Sequence, residues 1–289
     1  MRVQQWYKNL VIFLALFYTN NLFNQDLLFK TLLGFISLCF VSSSYYIIND
    51  ILDRNEDRTH REKSKRPIAS GSVGIGAGLL VSIILLAASV TIAYSLSPDF
   101  LLFPMALFAS SMLYNIWLRN VAIVDIHVIA LNFLLRAVSG AVLINVVTSP
   151  WLITTVFFMA LFLAIGKRSA DLSALDKKTV NSRVVYKTYS KGLLDMMTIV
   201  IAAVLLFTYC LYTFVVHEKP YPYMMLTIPF VSFVIFRYLY FIASGHEIAR
   251  KTHKIFLDSQ MVVAILLWAL TSLFVLYVLI PRSVLSAIN

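Results

Sequence analysis

The stretch Asn49-Asp50-Ile51-Leu52-Asp53-Arg54-Asn55-Glu56-Asp57 gathers residue types that suit metal-assisted phosphate chemistry. If it is helical, at about 100° per residue, Asn49, Asp50, Asp53 and Asp57 share a sector of roughly 100°, with Glu56 beside them. Carboxylates so placed repel one another unless a cation sits among them. Mg2+ shared with a diphosphate is the simplest such cation, because it takes a few carboxylates plus substrate oxygens. Lys63, Lys65 and Arg66 follow directly and suit the remaining phosphate charge. A merely solvated loop is the competing reading. The regular spacing, between two flanks of membrane-grade hydrophobicity, favours the metal and phosphate reading.

A second polar stretch opens with Gly166-Lys167-Arg168-Ser169-Ala170-Asp171 and continues through Asp176-Lys177-Lys178, Arg183, Lys187 and Lys191. Lys167 and Arg168, at the mouth of an apolar run, are candidate phosphate clamps; they would equally serve as topology determinants. Lys177, Lys178 and Lys191 suit attraction to anionic lipid headgroups. Asp125, Asn132 and Arg136 fall on one helical face of another apolar run. Arg136 lies about 16 Å along the axis from Asp125. An arginine at bilayer depth costs on the order of 2.5–3.5 kcal/mol, so this stripe is expected either to wall a cleft or to tie helices together.

These residues need elements to hold them. Of the 289 residues 60% are hydrophobic and 13% charged, with a mean hydropathy of +0.82. That composition predicts an all-α polytopic membrane protein. Nine hydrophobic spans are expected, at roughly 10–24, 28–48, 76–96, 99–117, 122–146, 150–166, 193–216, 222–243 and 260–280. They would form one transmembrane domain over 1–289, with catalytic loops at about 49–75 and 167–192. With the N-terminus in the cytoplasm, 19 of the 24 Lys and Arg fall on inside segments, which fits the positive-inside rule. The C-terminus then lies outside, and the chemistry faces the cytoplasm. The same placement accounts for the +10 net charge without nucleic acid. Cys39 and Cys210 sit in apolar spans and predict neither disulfide nor metal site; no cleavable signal peptide is expected.

Asn49-Asp50-x-x-Asp53-x-x-x-Asp57, followed by Lys65-Arg66-Pro67-Ile68-Ala69-Ser70-Gly71, resembles the first aspartate-rich motif of the UbiA superfamily of intramembrane prenyltransferases. Further segments resemble the branch of it that handles a ribose diphosphate. They are Arg2 through Asn9, Tyr114 through Arg119, Val124-Asp125, Leu135 through Gly140, and Ser149-Pro150-Trp151 leading to Gly166-Lys167-Arg168. The likeness runs from about 2 to 172 and thins to Tyr189-Ser190 and Arg237-Tyr238. It implies nine helices around a central cavity open to the cytoplasmic side, and Mg2+-dependent transfer of 5-phosphoribose from phosphoribosyl diphosphate to a polyprenyl phosphate. By matching positions, Asn49, Asp50, Asp53 and Asp57 would hold Mg2+ and diphosphate. Lys8, Lys65, Arg66, Lys167 and Arg168 would bind phosphates, and Tyr114, Arg119 and Asp125 would line the site. Arg119 stands where that branch carries lysine. His246-Glu247 and Asp258-Ser259 also depart from its pattern, so the resemblance assigns no role to the 244–258 loop.

The charges suggest how such a transfer would run. As the bond from ribose C1 to diphosphate stretches, positive charge grows on the sugar and negative charge on the leaving group. A lipid phosphate is already anionic, so no strong general base is needed, and none is offered: His60 is read as solvated, and His127 lies roughly opposite Asp125 on its helix. One rival is a UbiA-type prenyltransferase moving a prenyl group to an aromatic acceptor. It would want a second Asp-x-x-x-Asp, whereas Asp171 and Asp176 are one residue too far apart and lie among bases. The other is a transporter of an anionic metabolite; Asp125 and Arg136 suit it, but the chain lacks the internal repeat expected of one. The lipid chain length and the oligomeric state are not legible.

Overall fold

The computed structural model describes residues 2–59, 63–174, 184–215 and 222–279. His60, Arg61, Asp176, Lys177, Lys178 and Arg183 lie outside the described residues. Those described form helices and connecting turns, with no strand. Among the described residues, eight helical spans are long and apolar enough to cross a membrane. They contain α1 (Gln25–Leu52), α2 (Ile75–Leu96), α3 (Pro98–Ile116), α4 (Val124–Leu143), α5 (Pro150–Ala174), α6 (Lys191–Val215), α7 (Ile228–Ala243), entered through the 3-10 turns Pro222–Thr227, and α8 (Ser259–Phe274), continued by the π-helical Val275–Leu279. Each coincides with an expected span, because uninterrupted apolar sequence and capping residues fix the same limits. Asn24, Ser97 and Asp258 accept from the first-turn amides of α1, α3 and α8.

The segment expected as the first span, 10–24, differs. It starts earlier and winds as a 3-10 helix over Val3–Phe13, followed by a short α-helical turn, Leu14–Tyr18. Its partners along α1 explain the winding. Arg2 pairs with Asp50, the Trp6 indole donates to Ser43 (3.1 Å) and Asn9 to Cys39 Sγ (3.2 Å), and Phe13 packs on Phe35. From Asp50 back to Phe35, α1 advances about 22 Å at 1.5 Å per residue. The eleven steps from Arg2 to Phe13 cover about the same distance at the 3-10 rise of about 2.0 Å. Gly140 on α4 lets this segment in: a Cβ there would stand 2.0 Å from the Ile12 carbonyl oxygen.

Helices α1 and α2 pack antiparallel through small polar residues. Ser37 donates to the Ser89 carbonyl (2.9 Å), and seven residues further along α1 the Ser44 and Ser82 hydroxyls meet at 2.9 Å. Such close contacts suit helices in lipid. Apolar cores join α4, α5 and α6, and then α5 to α8. The consequence for function is that one end of the bundle collects the ends and loops carrying nearly every charged group discussed above.

Candidate active site

At that end α1 breaks at Asp53 and restarts as Arg54–Thr59, but the helical hydrogen bonding carries through. The Asp53 amide donates to Asn49 O at 2.9 Å, and the Asp57 amide to Asp53 O at 2.8 Å. The carboxylates of Asp50, Asp53 and Asp57 therefore emerge on one side, as the spacing predicts. Arg66 reaches back to them from a compact turn. Pro67 starts a one-turn helix, Pro67–Ser70, at the position where its missing N–H costs nothing, and Gly71 ends it at φ +85. Arg58 clamps the turn by donating to Ala69 O at 3.1 Å.

Each carboxylate has a cation. The Arg66 Nη1 lies 3.1 Å from Asp50 Oδ1 and 2.5 Å from Asp57 Oδ2. Arg2 also pairs with Asp50, and Lys63 approaches Asp57 at 3.7 Å. Asp53 turns instead to Arg119, at 2.7 Å. Asn49 is partly buried beside Asp50, and Lys65 points outward, exposed. Among the described residues no three His, Cys, Asp or Glu side chains converge as a ready metal site. Asp50 and Asp57 do aim at one point, which the Arg66 guanidinium fills with positive charge. Two hard oxygen donors converging on a cationic point fit Mg2+, which usually binds one or two carboxylates and completes its shell with water and phosphate oxygens. Arg66 thus bridges Asp50 and Asp57, while Asp53 pairs with Arg119.

Beside this cluster lies a sealed network. Asp125, in the first turn of α4, is fully buried, and so nearly is Arg168 on α5. The Arg168 Nε and Nη2 both stand 3.0 Å from Asp125 Oδ2. Arg168 also donates to Tyr186 Oη (3.0 Å) and Tyr114 Oη (3.1 Å). Tyr186 passes its proton donor on to Asp171 (2.7 Å), which Arg250 approaches at 3.5 Å. Tyr189 donates to Asp125 Oδ1 (2.7 Å) and accepts from the Ile123 amide (2.6 Å). Ile123 has φ +70, a strained conformation for a branched residue, and this hydrogen bond holds it. Arg168 and Asp125, expected to clamp phosphate and line the site, are therefore occupied with each other. Lys167, one residue earlier and so about 100° around the helix, is exposed.

The loop left without a role closes against the same end. Thr252 bonds to the Tyr7 hydroxyl at 2.7 Å, and Phe256 packs edge-on against the Tyr7 ring. Glu247 ties down Lys251 (2.9 Å) and Lys254 (2.6 Å), and these two amines hold its carboxyl down to about 2. His253 is pushed below the ordinary imidazole value by burial first, then by Lys251, Lys254 and Lys167. The residues that depart from the resemblance have local work: His246 caps the turn Glu247–Arg250, and Asp258 caps α8 while pairing with Arg237 at 2.9 Å. Sequence reasoning missed Arg2 and Tyr186 as members of this end; for Tyr186 the available signal was its three-residue spacing from Tyr189.

Residues 10–260 match the profile described as the UbiA prenyltransferase family. An uncharacterized protein, y4nM, of Sinorhizobium fredii is 34% identical over 171 residues, covering 59% of this chain and 33% of that protein. A decaprenyl-phosphate phosphoribosyltransferase of Mycolicibacterium smegmatis is 29% identical over 218 residues, 74% of this chain and 69% of that one. The chain thus spans a third of the first relative and about two thirds of the second. In fold it is similar to a UbiA homolog from Archaeoglobus fulgidus bound to DMAPP and Mg2+, with a TM-score of 0.71 at 16% identity, covering 96% of this chain and 97% of that one.

Proposed function

Because the chain belongs to the UbiA prenyltransferase family, a family of multi-pass membrane proteins, we propose that it transfers 5-phosphoribose from phosphoribosyl diphosphate to a polyprenyl phosphate, releasing diphosphate at the charged, cytoplasmic end. The observation that carries this reading is the balance of charge across that end. Asp50, Asp53 and Asp57 occupy the first side. The second side carries Lys167, Arg250, Lys251 and Lys254 against two acids among the described residues, Asp171, engaged by Tyr186 and Arg250, and Glu247, paired with Lys251 and Lys254. A donor with three phosphates suits such a surplus of bases better than a prenyl diphosphate, which carries two. The relatives named decaprenyl-phosphate phosphoribosyltransferase support the same reading.

Asp50 and Asp57 would hold a divalent cation, which when bound supplies charge to offset that developing on the diphosphate. Arg66, Lys63 and Arg119 can turn from the carboxylates to phosphate oxygens, since each keeps about a quarter or more of its side chain exposed. Their role is to bind and orient the leaving group, so that catalysis is positioning and electrostatics. The bond from C1 to the diphosphate oxygen breaks as an acceptor phosphate oxygen bonds to C1. In-line attack inverts that carbon, and no side chain need remove a proton. The apolar helices would hold the lipid tail.

A second reading, prenyl transfer to an aromatic acceptor, draws on the fold neighbours bound to DMAPP or GPP with Mg2+. The test is a parallel assay in detergent with Mg2+. Labelled phosphoribosyl diphosphate is offered with a polyprenyl phosphate in one tube, prenyl diphosphate with 4-hydroxybenzoate in the other. EDTA-sensitive label in the lipid extract of the first is the expected result; prenylated aromatic product alone would overturn the proposal.

A further inference from the structure

Beneath the acidic cluster lies a second group of cations, without carboxylates. Arg136 is almost wholly buried, and its hydrogen-bond partners are all neutral oxygens. Nε donates to Asn9 Oδ1 (2.7 Å), Nη1 to the Asn132 carbonyl (2.5 Å) and Nη2 to Tyr45 Oη (2.8 Å). Lys8, from the 3-10 helix, is half-buried and lies within electrostatic reach of Tyr45, Arg136 and Arg2. Among the described residues neither Lys8 nor Arg136 forms an ion pair, and no hydrogen bond reaches the Lys8 ammonium. One helical turn from Arg136, Asn132 Oδ1 is buried without a donor. A buried guanidinium with a half-buried ammonium beside it, and no counterion for either among the described residues, is costly to the ligand-free fold. A bound anion relieves that cost.

We infer that Lys8 and Arg136, with Tyr45 and Asn132, form the subsite for the phosphate of the lipid acceptor, separate from the diphosphate site at Asp50 and Asp57. Depth decides which phosphate it takes. Tyr45 precedes Asp50 by five residues on α1, about 7.5 Å further into the bundle. A lipid phosphate approaches from the apolar side, and in-line displacement sets the nucleophile opposite the leaving group, with the sugar between them. The deeper subsite is therefore the acceptor's. The Tyr45 hydroxyl, whose bond to Ser42 is long at 3.4 Å, and the Asn132 amide, turned so that its N–H2 replaces the unpartnered Oδ1, would then donate to a phosphate monoester there. This assignment rests on the phosphoribosyl-transfer reading, but its readout does not need turnover.

The test is equilibrium binding of a labelled polyprenyl monophosphate to the full chain in detergent, with no donor present. Lys8→Met should weaken this binding at least tenfold and change binding of phosphoribosyl diphosphate with Mg2+ less than threefold. It should also raise the melting temperature of the ligand-free protein, because a charge repelled by Arg136 and without a counterion has gone; a purely structural lysine would lower it. Arg136→Lys, which keeps the charge, should retain more lipid-phosphate binding than Arg136→Gln. Inorganic phosphate at millimolar concentration should not displace the lipid. Equal loss of both ligands in Lys8→Met, loss of the donor alone, or displacement by free phosphate at matching affinity would each overturn the assignment. Unaltered lipid-phosphate dependence on Lys8 with no phosphoribosyl transfer would instead locate the failure in the reaction proposed above.

Discussion

Two groups of buried or half-buried ions lie side by side at one end of this bundle, and they are built for opposite purposes. Around Asp50, Asp53 and Asp57 the partner bases keep 26–31% of their side chains exposed, and Arg66 is shared between two acids. Around Asp125 the exposure falls to 0% and 5% across the pair, and tyrosines satisfy the remaining valences on both sides. Partners in the first group exchange readily, because water and ions reach them and such pairs contribute little to stability. The second group cannot exchange without leaving a charge buried and alone. Aspartate and arginine thus make exchangeable pairs where solvent enters, as the proposed ligand site requires, and a strut where it does not.

The largest effect expected tests the strut. Arg168→Met leaves Asp125 with Tyr189 alone and should cost about 3–5 kcal/mol of stability, measured by denaturant unfolding in mixed micelles. Adding Asp125→Leu should recover part of that loss; a single variant as stable as wild type would erase the distinction. Next is Asp53→Asn, expected to lower turnover at least about a hundredfold while shifting stability by less than about 1 kcal/mol. Comparable losses of fold in both variants would break the comparison. Gly140→Ala reaches both regions at once. Its Cβ meets the Ile12 main chain, so it should cost about 1–3 kcal/mol and weaken lipid-phosphate binding by moving Lys8. Preserved binding would mean that the 3-10 segment does not need its present seat.

The smallest effect is a titration. Burial first, then Lys251, Lys254 and Lys167, holds His253 below the ordinary imidazole value. As pH falls below 6.5, the unfolded chain takes this proton before the folded one, and stability drops until the depressed value is passed. An anion against Lys167, Lys251 and Lys254 should move the imidazole pKa upward. NMR titration with and without Mg2+ and diphosphate reads this directly; an unchanged pKa would separate the 244–258 loop from the phosphate site.

The helices and the acidic face were legible because both are local: apolar runs end where charges and caps begin, and the Asn49–Asp57 spacing holds through the break at Asp53. What was not legible depends on residues far apart in sequence. The 3-10 winding of Val3–Phe13 follows from its register along α1 and the room left by Gly140. The fates of Lys167 and Arg168 differ by one step around a helix, and nothing in their own segment says which faces Asp125. Arg2 reads as one more N-terminal base until the fold brings it to Asp50, 48 residues away. The 244–258 loop matched no pattern, since its contacts to Tyr7 and Asp171 are set by how the bundle closes.

The most direct test of the contrast is Mn2+ binding in the presence of diphosphate, followed by electron paramagnetic resonance in wild type, Asp57→Asn and Asp125→Asn, each normalised to the folded fraction. The account predicts that Asp57→Asn weakens Mn2+ binding at least tenfold while folded Asp125→Asn binds like wild type. Wild-type affinity in Asp57→Asn, or equal weakening in both variants, would contradict it.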